Sequence, residues 1–513
     1  MKMVEAGWGD RAGGLSRQVV AAGAALGIAG DLLLWDIDSL GPGFTLWVAL
    51  LGVAVVAVNR HATREWRTQL LLWTLVAVVA ASILLLRATP VFVPLVVLTL
   101  TACAVMVLMQ SEGVGLRSAA VHDQVRALLR LPLRVVLGGW PLLGELNLNG
   151  ARVGSRWQAM LRGALLSLPL LLIFVALFSS ADATFERYAS GVGDLLARDL
   201  PRHVLIVVVL GWFSTGLLAC AIPQQRVSKR EKPSTRLLGE QEAVIVLGSL
   251  VALFLVFVMV QLGYLFGGRE VIEQTSGLTL AQYARRGFFE LMVVALLAMA
   301  ILHGVCAGHA GRLRVLGLVL VALVMCILLS AAQRLALYID AFGLTLARLL
   351  ASACMLWVTC CLLMFTAALI RQRGAGLASG YLLSGVAMVL MLAVANPAAL
   401  VASVNLQQAI VKSSQDGDAS QLDVNYLLQL GPDVVPVVLD RLAELPKKQQ
   451  CSFASGLRAR YRPKPWDNAD WRAWNASRSA AERAVESAVR EGGLLRAADC
   501  SEYLLGGFYS TKE

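Results

Sequence analysis

Charged residues are scarce in this sequence, and the residue patterns of most enzymes are missing from it. Of the 513 residues only 15% are charged and 58% are hydrophobic, and the mean hydropathy is +0.68. A chain this apolar is not an ordinary soluble globular protein. The sequence also lacks a phosphate-binding glycine loop and any cluster of histidine and cysteine at metal-ligand spacing, so it predicts neither a cofactor nor a metal site.

The five histidines stand far apart in the sequence and are predicted to be loop or interface residues. They are His61, His122, His203, His303 and His309. The net charge of +11 does not predict a nucleic-acid partner, because lysine and arginine are confined to short segments between apolar runs. Such a distribution is typical of membrane topology.

Long apolar runs dominate the chain up to residue 395. About 20 apolar residues are needed for one membrane crossing, and on that basis the sequence predicts about 11 spans. The predicted spans are Val19–Trp35, Phe44–Val58, Thr68–Leu86, Val91–Met109, Leu161–Ser179, His203–Ile222, Ala243–Phe266, Gly287–Ala307, Val315–Ala332, Leu346–Ile370 and Leu377–Ala395. The fold class is therefore predicted to be all-α, a polytopic transmembrane helix bundle over residues 1–395 with a soluble helical C-terminal domain over residues 396–513.

The distribution of lysine and arginine among the loops predicts the orientation of the chain in the membrane. Most basic residues lie in the N-terminal tail and in every second loop after it. The positive-inside rule therefore places the N-terminus in the cytoplasm. An odd number of spans then places the C-terminal domain outside the cytoplasm. The expected protein is a multi-pass component of the inner or plasma membrane, with membrane lipids among its partners.

The longest predicted cytoplasmic segment, residues 110–162, contains an amphipathic stretch. Apolar residues recur at helical spacing in Val121–Trp140, and three arginines line another side of the same predicted helix. These arginines are Arg126, Arg130 and Arg134. Two interpretations remain open, namely a helix that lies on anionic lipid and a helix packed beneath the bundle.

Polar residues meet the predicted membrane boundary in Gly277–Leu291, GLTLAQYARRGFFEL. Thr279 is a good N-cap, and Gln282, three residues later, completes a capping box, which predicts that a helix starts here. Three polar residues then share one face of that helix at spacing i, i+3 and i+7. They are Tyr283, Arg286 and Glu290. The pentapeptide GLTLA returns as Gly343–Ala347 and predicts the start of another apolar helix.

Five sequence blocks carry a resemblance to a known family. They are LFSSADATF (Leu177–Phe185), YLFGG (Tyr264–Gly268), Gly277–Leu291, QRLALYIDAFGLT (Gln333–Thr345) and LDVNYLLQLGPDVVP (Leu422–Pro436). In order and spacing they resemble the signature blocks of the bacterial multi-pass membrane family catalogued as domain of unknown function 4173. The resemblance implies a fold type and no activity. Gln282 departs from the acidic residue that this family is expected to favour.

Ionisable residues and tyrosines gather on the predicted outer side of the bundle and form a candidate ligand-binding cluster. They are Asp31, Asp182, Tyr283, Arg286, Glu290, Arg334, Tyr338 and Asp340. Ionisable groups at membrane depth cost several kcal/mol unless they are paired or hydrated. Two interpretations remain open, namely a polar cavity that binds a ligand and paired charges that hold helices together.

Two classes of function agree with this cluster. In the first, the protein is a non-enzymatic transporter-like or sensor and scaffold component of the bacterial cell envelope. Its outward polar cavity then binds an anionic or lipid-borne ligand, and its C-terminal domain contacts an envelope protein. In the second, it is an envelope transferase that uses a lipid-linked donor. Asp36, Asp38 or Asp182 would then be the base or a metal ligand, and Arg286 or Arg334 would bind a phosphate.

Cysteines and tryptophans distinguish the C-terminal domain from the bundle. Cys451 and Cys500 are the only cysteines of the predicted exported domain, where a disulfide is chemically permitted. The other seven cysteines lie in apolar spans, where a thiol behaves as a small hydrophobic group. Trp466, Trp471 and Trp474 are predicted to bind a sugar or a partner, to pack helices together, or to lie at the membrane interface.

Overall fold

The computed structural model describes most of the chain. Described are residues 2–37, 39–115, 121–145, 199–223, 239–266, 288–306, 311–372, 376–416, 422–461, 470–495 and 500, together with 171, 174, 178, 182 and 185. Every regular element formed by these residues is a helix. The all-α expectation is therefore confirmed for this part of the chain.

The α-helices of the described residues are numbered in chain order. They are α1 (Lys2–Leu34), α2 (Pro42–Val58), α3 (Arg64–Leu86), α4 (Phe92–Ser111), α5 (Val121–Leu137), α6 (Gly139–Glu145), α7 (Asp199–Cys220), α8 (Glu240–Phe266), α9 (Phe288–Cys306), α10 (Arg312–Phe342), α11 (Leu346–Arg371), α12 (Leu377–Ala395), α13 (Pro397–Asp416), α14 (Val424–Gln429), α15 (Val435–Arg441), α16 (Lys447–Arg460) and α17 (Ala476–Arg490). Short 3-10 helices lie at Pro432–Val434, Leu442–Glu444 and Trp471–Ala473.

Eight of the described helical segments are long and apolar enough to cross a membrane. They are Gly14–Leu34, Arg64–Leu86, Phe92–Ser111, Arg202–Cys220, Glu240–Gln261, Arg312–Asp340, Leu346–Arg371 and Leu377–Ala395. Two shorter apolar segments, Pro42–Val58 and Glu290–Val305, also coincide with predicted spans. The remaining predicted span, Leu161–Ser179, lies largely outside the described residues. The chain is thus a multi-pass membrane protein, and the count of about 11 spans stays a prediction.

Two compact units make up the chain, and the first consists of Met1–Val78, Cys103–Ser111 and Ala127–Gln224. In this unit α1 packs along α7 through small residues. A Cβ added to Gly27 would lie 2.3 Å from the carbonyl oxygen of Val207, and one added to Gly23 would lie 1.9 Å from the hydroxyl of Thr215. Glycine therefore lets the two backbones approach closely, as is common between membrane helices.

The second unit consists of Val79–Ala102, Glu112–Arg126 and Gln225–Glu513. Helices α8 to α12 surround an apolar core in which Leu302, Leu320 and Val358 are fully buried. Other apolar side chains of the same helices point outward, and Leu253 and Leu329 are more than half exposed. Such helices bury one side in protein and present an apolar side to lipid.

The C-terminal part of the second unit, α13 to α17, is called the C-terminal region. Its core contains Val401, Leu427 and Phe453, and the same core includes Leu344 from the turn between α10 and α11. A separate soluble domain that begins at residue 396 therefore stays a prediction.

Most helices of the C-terminal region coincide with the sequence-based expectation. The sequence of this region predicts helices near Ala399–Val411, Leu422–Leu430, Pro432–Glu444 and Ala480–Arg490. They correspond to α13, α14, α15 with its flanking 3-10 helices, and α17. Helix α16 was not predicted, because KKQQCSFASGLRAR has few apolar residues and no strong cap.

Candidate functional site

A buried carboxylate, Asp433, joins the C-terminal region to the loop between α3 and α4. Its side chain is 0% exposed. One carboxylate oxygen accepts hydrogen bonds from the backbone N–H of Ala88 at 3.0 Å, the backbone N–H of Thr89 at 3.1 Å and the hydroxyl of Thr89 at 2.9 Å. The other oxygen lies 2.5 Å from the hydroxyl of Ser477 at the start of α17. One carboxylate therefore connects three separate segments.

Arg87 adds a cation to this connection. Its Nη1 lies 3.6 Å from Asp433 Oδ1. Its Nε donates to the carbonyl of Ala393 at 2.8 Å, and its Nη2 donates to the carbonyl of Val394 at 3.3 Å. These carbonyls belong to the last turn of α12, where backbone oxygens lack helical partners and attract a positive charge. Arg87 thus binds the end of α12 and Asp433 at once.

The start of α17 makes two further contacts with the end of α3. Asn475 donates from its amide to the carbonyl of Leu84 at 2.8 Å, while its oxygen accepts from the N–H of Arg478 and caps α17. The Ser477 hydroxyl lies 2.8 Å from the carbonyl of Leu86. A hydroxyl has a single proton, and the shorter, charge-assisted contact with Asp433 takes it.

The turn between α10 and α11 is also held by the C-terminal region. Asn405 of α13 accepts from the N–H of Leu344 at 2.7 Å and donates to the carbonyl of the same residue at 2.7 Å. The hydroxyl of Tyr426 accepts from the N–H of Leu346 at 2.7 Å. Gly343 has a φ of +75°, and a Cβ at this position would lie 2.8 Å from Asn405 Oδ1. The turn therefore requires glycine both for its backbone conformation and for this contact.

The second GLTLA sequence starts a helix, as its pattern predicted. Thr345 is the N-cap of α11, and its hydroxyl accepts from the N–H of Arg348 at 3.4 Å. The Arg348 guanidinium lies 4.0 Å from the centre of the Tyr338 ring and donates to the carbonyl of Phe342 at 3.1 Å. This cation–π contact connects the start of α11 to the end of α10. The first GLTLA sequence, with Thr279 and Gln282, lies outside the described residues.

The chemistry of the Asp433 site is that of a structural joint. Its two oxygens face four donor groups and a guanidinium, so the lone pairs that a base or a metal ligand needs are occupied. Within the described residues, no group of three or more His, Cys, Asp and Glu could hold a metal ion. The arrangement fixes the C-terminal region against the ends of three membrane helices.

The family described as "Domain of unknown function (DUF4153)" matches residues 44–441. The chain belongs to this family. The expectation of a family of unknown function is confirmed, and the family number 4173 expected from the sequence blocks was wrong. No curated protein and no solved structure matches the chain.

The DUF4153 match includes only part of the site. Arg87, Thr89, Asn405 and Asp433 lie inside residues 44–441, whereas Ser477 and the rest of α17 lie beyond them. The joint between the α3–α4 loop and Asp433 is therefore contained within the DUF4153 region. The α17 contacts come from the sequence that follows it.

Asp31, from the predicted polar cluster, has a histidine as its partner in the first unit. Nδ1 of His203 lies 2.8 and 2.9 Å from the two carboxylate oxygens. The ring of Trp35 lies 4.5 Å from the His203 ring, and the Arg202 guanidinium lies 4.8 Å from the Trp35 ring. The end of α1 and the start of α7 are joined here. The sequence predicts His203 only as a loop or interface residue and does not indicate this partner.

The other members of the predicted cluster are only partly described. Arg334 and Tyr338 lie one turn apart on α10 and are partly buried, whereas Glu290, Asp340 and Asp182 are exposed. The ion pairs among the described residues do not join Glu290 to Arg334. Tyr283 and Arg286 lie outside the described residues, so one contiguous cluster stays a prediction.

A small cavity lies between α10 and α11, beside this region. Its volume is about 150 Å³. It is lined by Ala332, Leu335, Ala336, Ile339, Ser352 and Met355. This lining is mostly apolar, so a polar cavity that binds an anionic ligand also stays a prediction.

A polar contact inside the bundle escaped sequence reasoning. Nε2 of His303 in α9 lies 2.8 Å from the hydroxyl of Tyr381 in α12, and its Nδ1 lies 2.6 Å from the carbonyl of Met299. The Phe365 ring of α11 lies 4.5 Å from the imidazole. Because a carbonyl only accepts, Nδ1 carries a proton, and a neutral imidazole then accepts at Nε2 from Tyr381. His303 had been predicted as a loop or interface residue.

Two further features belong to the C-terminal region. Cys451 and Cys500 form a disulfide with a Cα–Cα distance of 5.4 Å.

Burial raises the pKa of the Tyr461 phenol to about 12, although Arg460 and Arg478 act in the opposite direction. Tyr461 is therefore neutral at physiological pH.

Proposed function

We propose that this protein is a non-enzymatic sensor or scaffold of the cell envelope, in which the C-terminal region is coupled to the membrane helices through Asp433. The observation that carries the proposal is the fully buried carboxylate with donors from the α3–α4 loop and α17. A change in the C-terminal region, such as the binding of an envelope partner, would act on this joint directly.

The predicted orientation supports the proposal. Two membrane-flanking segments, the α3–α4 loop and the α10–α11 turn, make hydrogen bonds with the C-terminal region. A third, the end of α12, is bonded to Arg87 beside the α3–α4 loop. Lysine and arginine counts predict that all three lie outside the cytoplasm, on the same side as the C-terminal region. The contacts and the charge distribution therefore both support a C-terminal region on the outer side of the membrane.

The surface of the C-terminal region supports a role in partner binding. Trp471 is 59% exposed and Trp474 is 47% exposed. Exposed tryptophans are enriched among the residues that dominate protein–protein interfaces. The proposed partner is an envelope protein that covers these two side chains.

Complementation of a deletion strain tests the proposal. We expect loss of the gene to change sensitivity to agents that damage the envelope, and the full-length gene to restore the original level. The chain that ends at Ala395 and the Asp433→Ala variant should both reach the membrane and fail to restore it. Asp440→Asn is the matched control, since Asp440 is an exposed acid on α15, and it should restore fully.

Full restoration by the chain that ends at Ala395 would contradict the proposal, because the C-terminal region would then be dispensable. Solute uptake or efflux by that shortened chain would instead indicate a transporter.

A further inference from the structure

Helix α5 has one side that packs on protein. Ala127, Leu131 and Val135 follow each other at four-residue spacing, and each is at most 8% exposed. Such spacing places them along one side of a helix. The C-terminal half of α5 is therefore fixed to the first unit by this stripe.

A second side of α5 is apolar and open. Leu129 is 71% exposed and Leu133 is 62% exposed, and Leu128 and Val136 extend the same surface. These four residues are called the apolar side of α5. Exposure of large apolar side chains to water is unfavourable in free energy, so an apolar medium or partner is expected to cover them.

Two arginines lie between the buried stripe and the apolar side. Arg130 and Arg134 are one turn apart, and each precedes a residue of the buried stripe by one position, which is about 100° around the helix. These helix positions place both arginines at one border of the apolar side. Arginine binds phosphate oxygens with several donors in a planar arrangement.

The contact with α7 places α5 at the depth of a membrane boundary. A Cβ added to Gly216 would lie 1.9 Å from the carbonyl oxygen of Val135, so the two backbones touch there. The Trp212 indole also donates to the carbonyl of Val136 at 3.0 Å. Gly216 precedes the end of α7 at Cys220 by about 6 Å of helix. Because α7 contains the candidate span Arg202–Cys220, α5 crosses it near the end of the hydrocarbon.

Helix α5 is not itself a crossing. It has 17 residues, with three arginines and Pro132 among them, whereas a crossing needs about 20 mostly apolar residues. A helix that lies in the interface instead buries its apolar side about 5–10 Å into the boundary between headgroups and acyl chains. This matches the depth set by Gly216.

We infer that α5 lies along the lipid–water interface, with its apolar side among acyl chains and with Arg130 and Arg134 on the headgroup phosphates of anionic lipids. The charge of the two arginines favours lipid over an apolar protein segment as the occupant. The inference combines the two interpretations of the amphipathic stretch Val121–Trp140, since one side of α5 packs on protein and another meets lipid. It does not depend on the proposed sensor function.

Quenching by brominated lipids tests the position of α5. The full-length chain carries a fluorophore at Leu129→Cys, or in a second variant at Leu133→Cys, and is reconstituted in vesicles of phosphatidylcholine with bromine on the acyl chains. The labelled wild-type chain supplies the background from native cysteines. Both positions should be quenched, whereas a fluorophore at Asp440→Cys, an exposed site on α15, should not be. Absence of quenching at 129 and 133 would overturn the inference.

A second arm tests the anionic headgroup. In mixed vesicles, brominated phosphatidylglycerol should quench the label at 129 more than its mole fraction predicts. Arg130→Gln with Arg134→Gln should lower this preference roughly fivefold per arginine. Arg483→Gln with Arg490→Gln removes two exposed arginines of α17 and should leave it unchanged. Quenching in proportion to mole fraction in the unaltered arginine background would overturn the arginine part of the inference.

Discussion

Asp433 shows how a single buried charge is stabilised in a chain with few charged residues. Removing a carboxylate from water is costly, and the cost is offset only when hydrogen bonds replace the lost hydration. The N–H groups of Ala88 and Thr89 and two hydroxyls provide that replacement. The charge therefore stabilises the joint only while all of its donors are in place.

Substitution of Asp433 should be among the most destabilising changes in the C-terminal region. Asp433→Ala leaves several buried donors without an acceptor and should cost about 3–5 kcal/mol. Asp433→Asn keeps one accepting oxygen but loses the attraction of Arg87, and should cost about 1–2 kcal/mol. Thermal unfolding in detergent measures both, with Asp440→Asn as the neutral control. An Asp433→Ala protein as stable as the wild type would contradict this account.

Residue-scale features were predictable where the chemistry is local. The second GLTLA sequence predicted the start of a helix, and the partner of its N-cap, Thr345, lies only three residues away. Asp433 lay within a quoted sequence block, yet nothing in the block indicates partners 345 residues earlier. Asp31 was singled out, but its partner His203, 172 residues later, was not. A sequence pattern reports spacing along one element and carries no information on which distant segment packs against it.

At the scale of the helix, glycine decides where backbones cross. Gly216 lets α7 touch the backbone of α5, whereas a Cβ on Gly248 of α8 would meet nothing within 4 Å. Both glycines lie inside apolar helices, so propensity alone would favour alanine at either position.

Alanine substitutions at these two glycines should have opposite effects. Gly216→Ala forces a methyl group against Val135 and should destabilise the protein by about 1–3 kcal/mol. Gly248→Ala should be neutral or stabilise by up to about 1 kcal/mol. The comparison uses midpoints of thermal unfolding of the two variants. Equal midpoints would mean that α5 does not approach α7 at Gly216.

Element positions followed from apolar runs wherever those runs were long. Ten of the predicted spans coincide with described helices, because a crossing requires a continuous apolar stretch. Helix α16 was missed because its packing, rather than its composition, makes it helical, and Phe453 and Leu457 bury one face. Tertiary packing of this kind overrides weak local propensity.

The orientation of the whole molecule is open to a direct measurement. The distribution of basic residues predicts that a reporter active only in the cytoplasm works when fused after Arg236 and fails when fused after Glu513. A chain with an even number of spans would give activity at both positions. That outcome would also place the α3–α4 loop and the C-terminal region on opposite sides of the membrane, which their hydrogen bonds forbid.

The disulfide reports on the compartment of the C-terminal region. Cys451 and Cys500 enclose a loop with a sequence separation of 49, and closure of such a loop contributes about 4 kcal/mol by loop entropy. Freshly isolated protein should resist alkylation at both cysteines until it is reduced, as measured by mass spectrometry. Cys451→Ser should lower the unfolding temperature, while Cys326→Ser should not. Free thiols at both positions would indicate a reducing compartment.

The contacts of Asp433 can form only late in the biosynthesis of the chain. The ribosome delivers the α3–α4 loop first and Asp433 345 residues later, which at about 5–20 residues per second is a delay of roughly 20–70 s. During that interval water, a chaperone or the insertion machinery must occupy the N–H groups of residues 88 and 89. Helices α3 and α4 are thus inserted before Asp433, which accepts hydrogen bonds from the loop between them, has been synthesised. A nascent chain arrested before residue 433 is therefore expected to be a substrate for quality control.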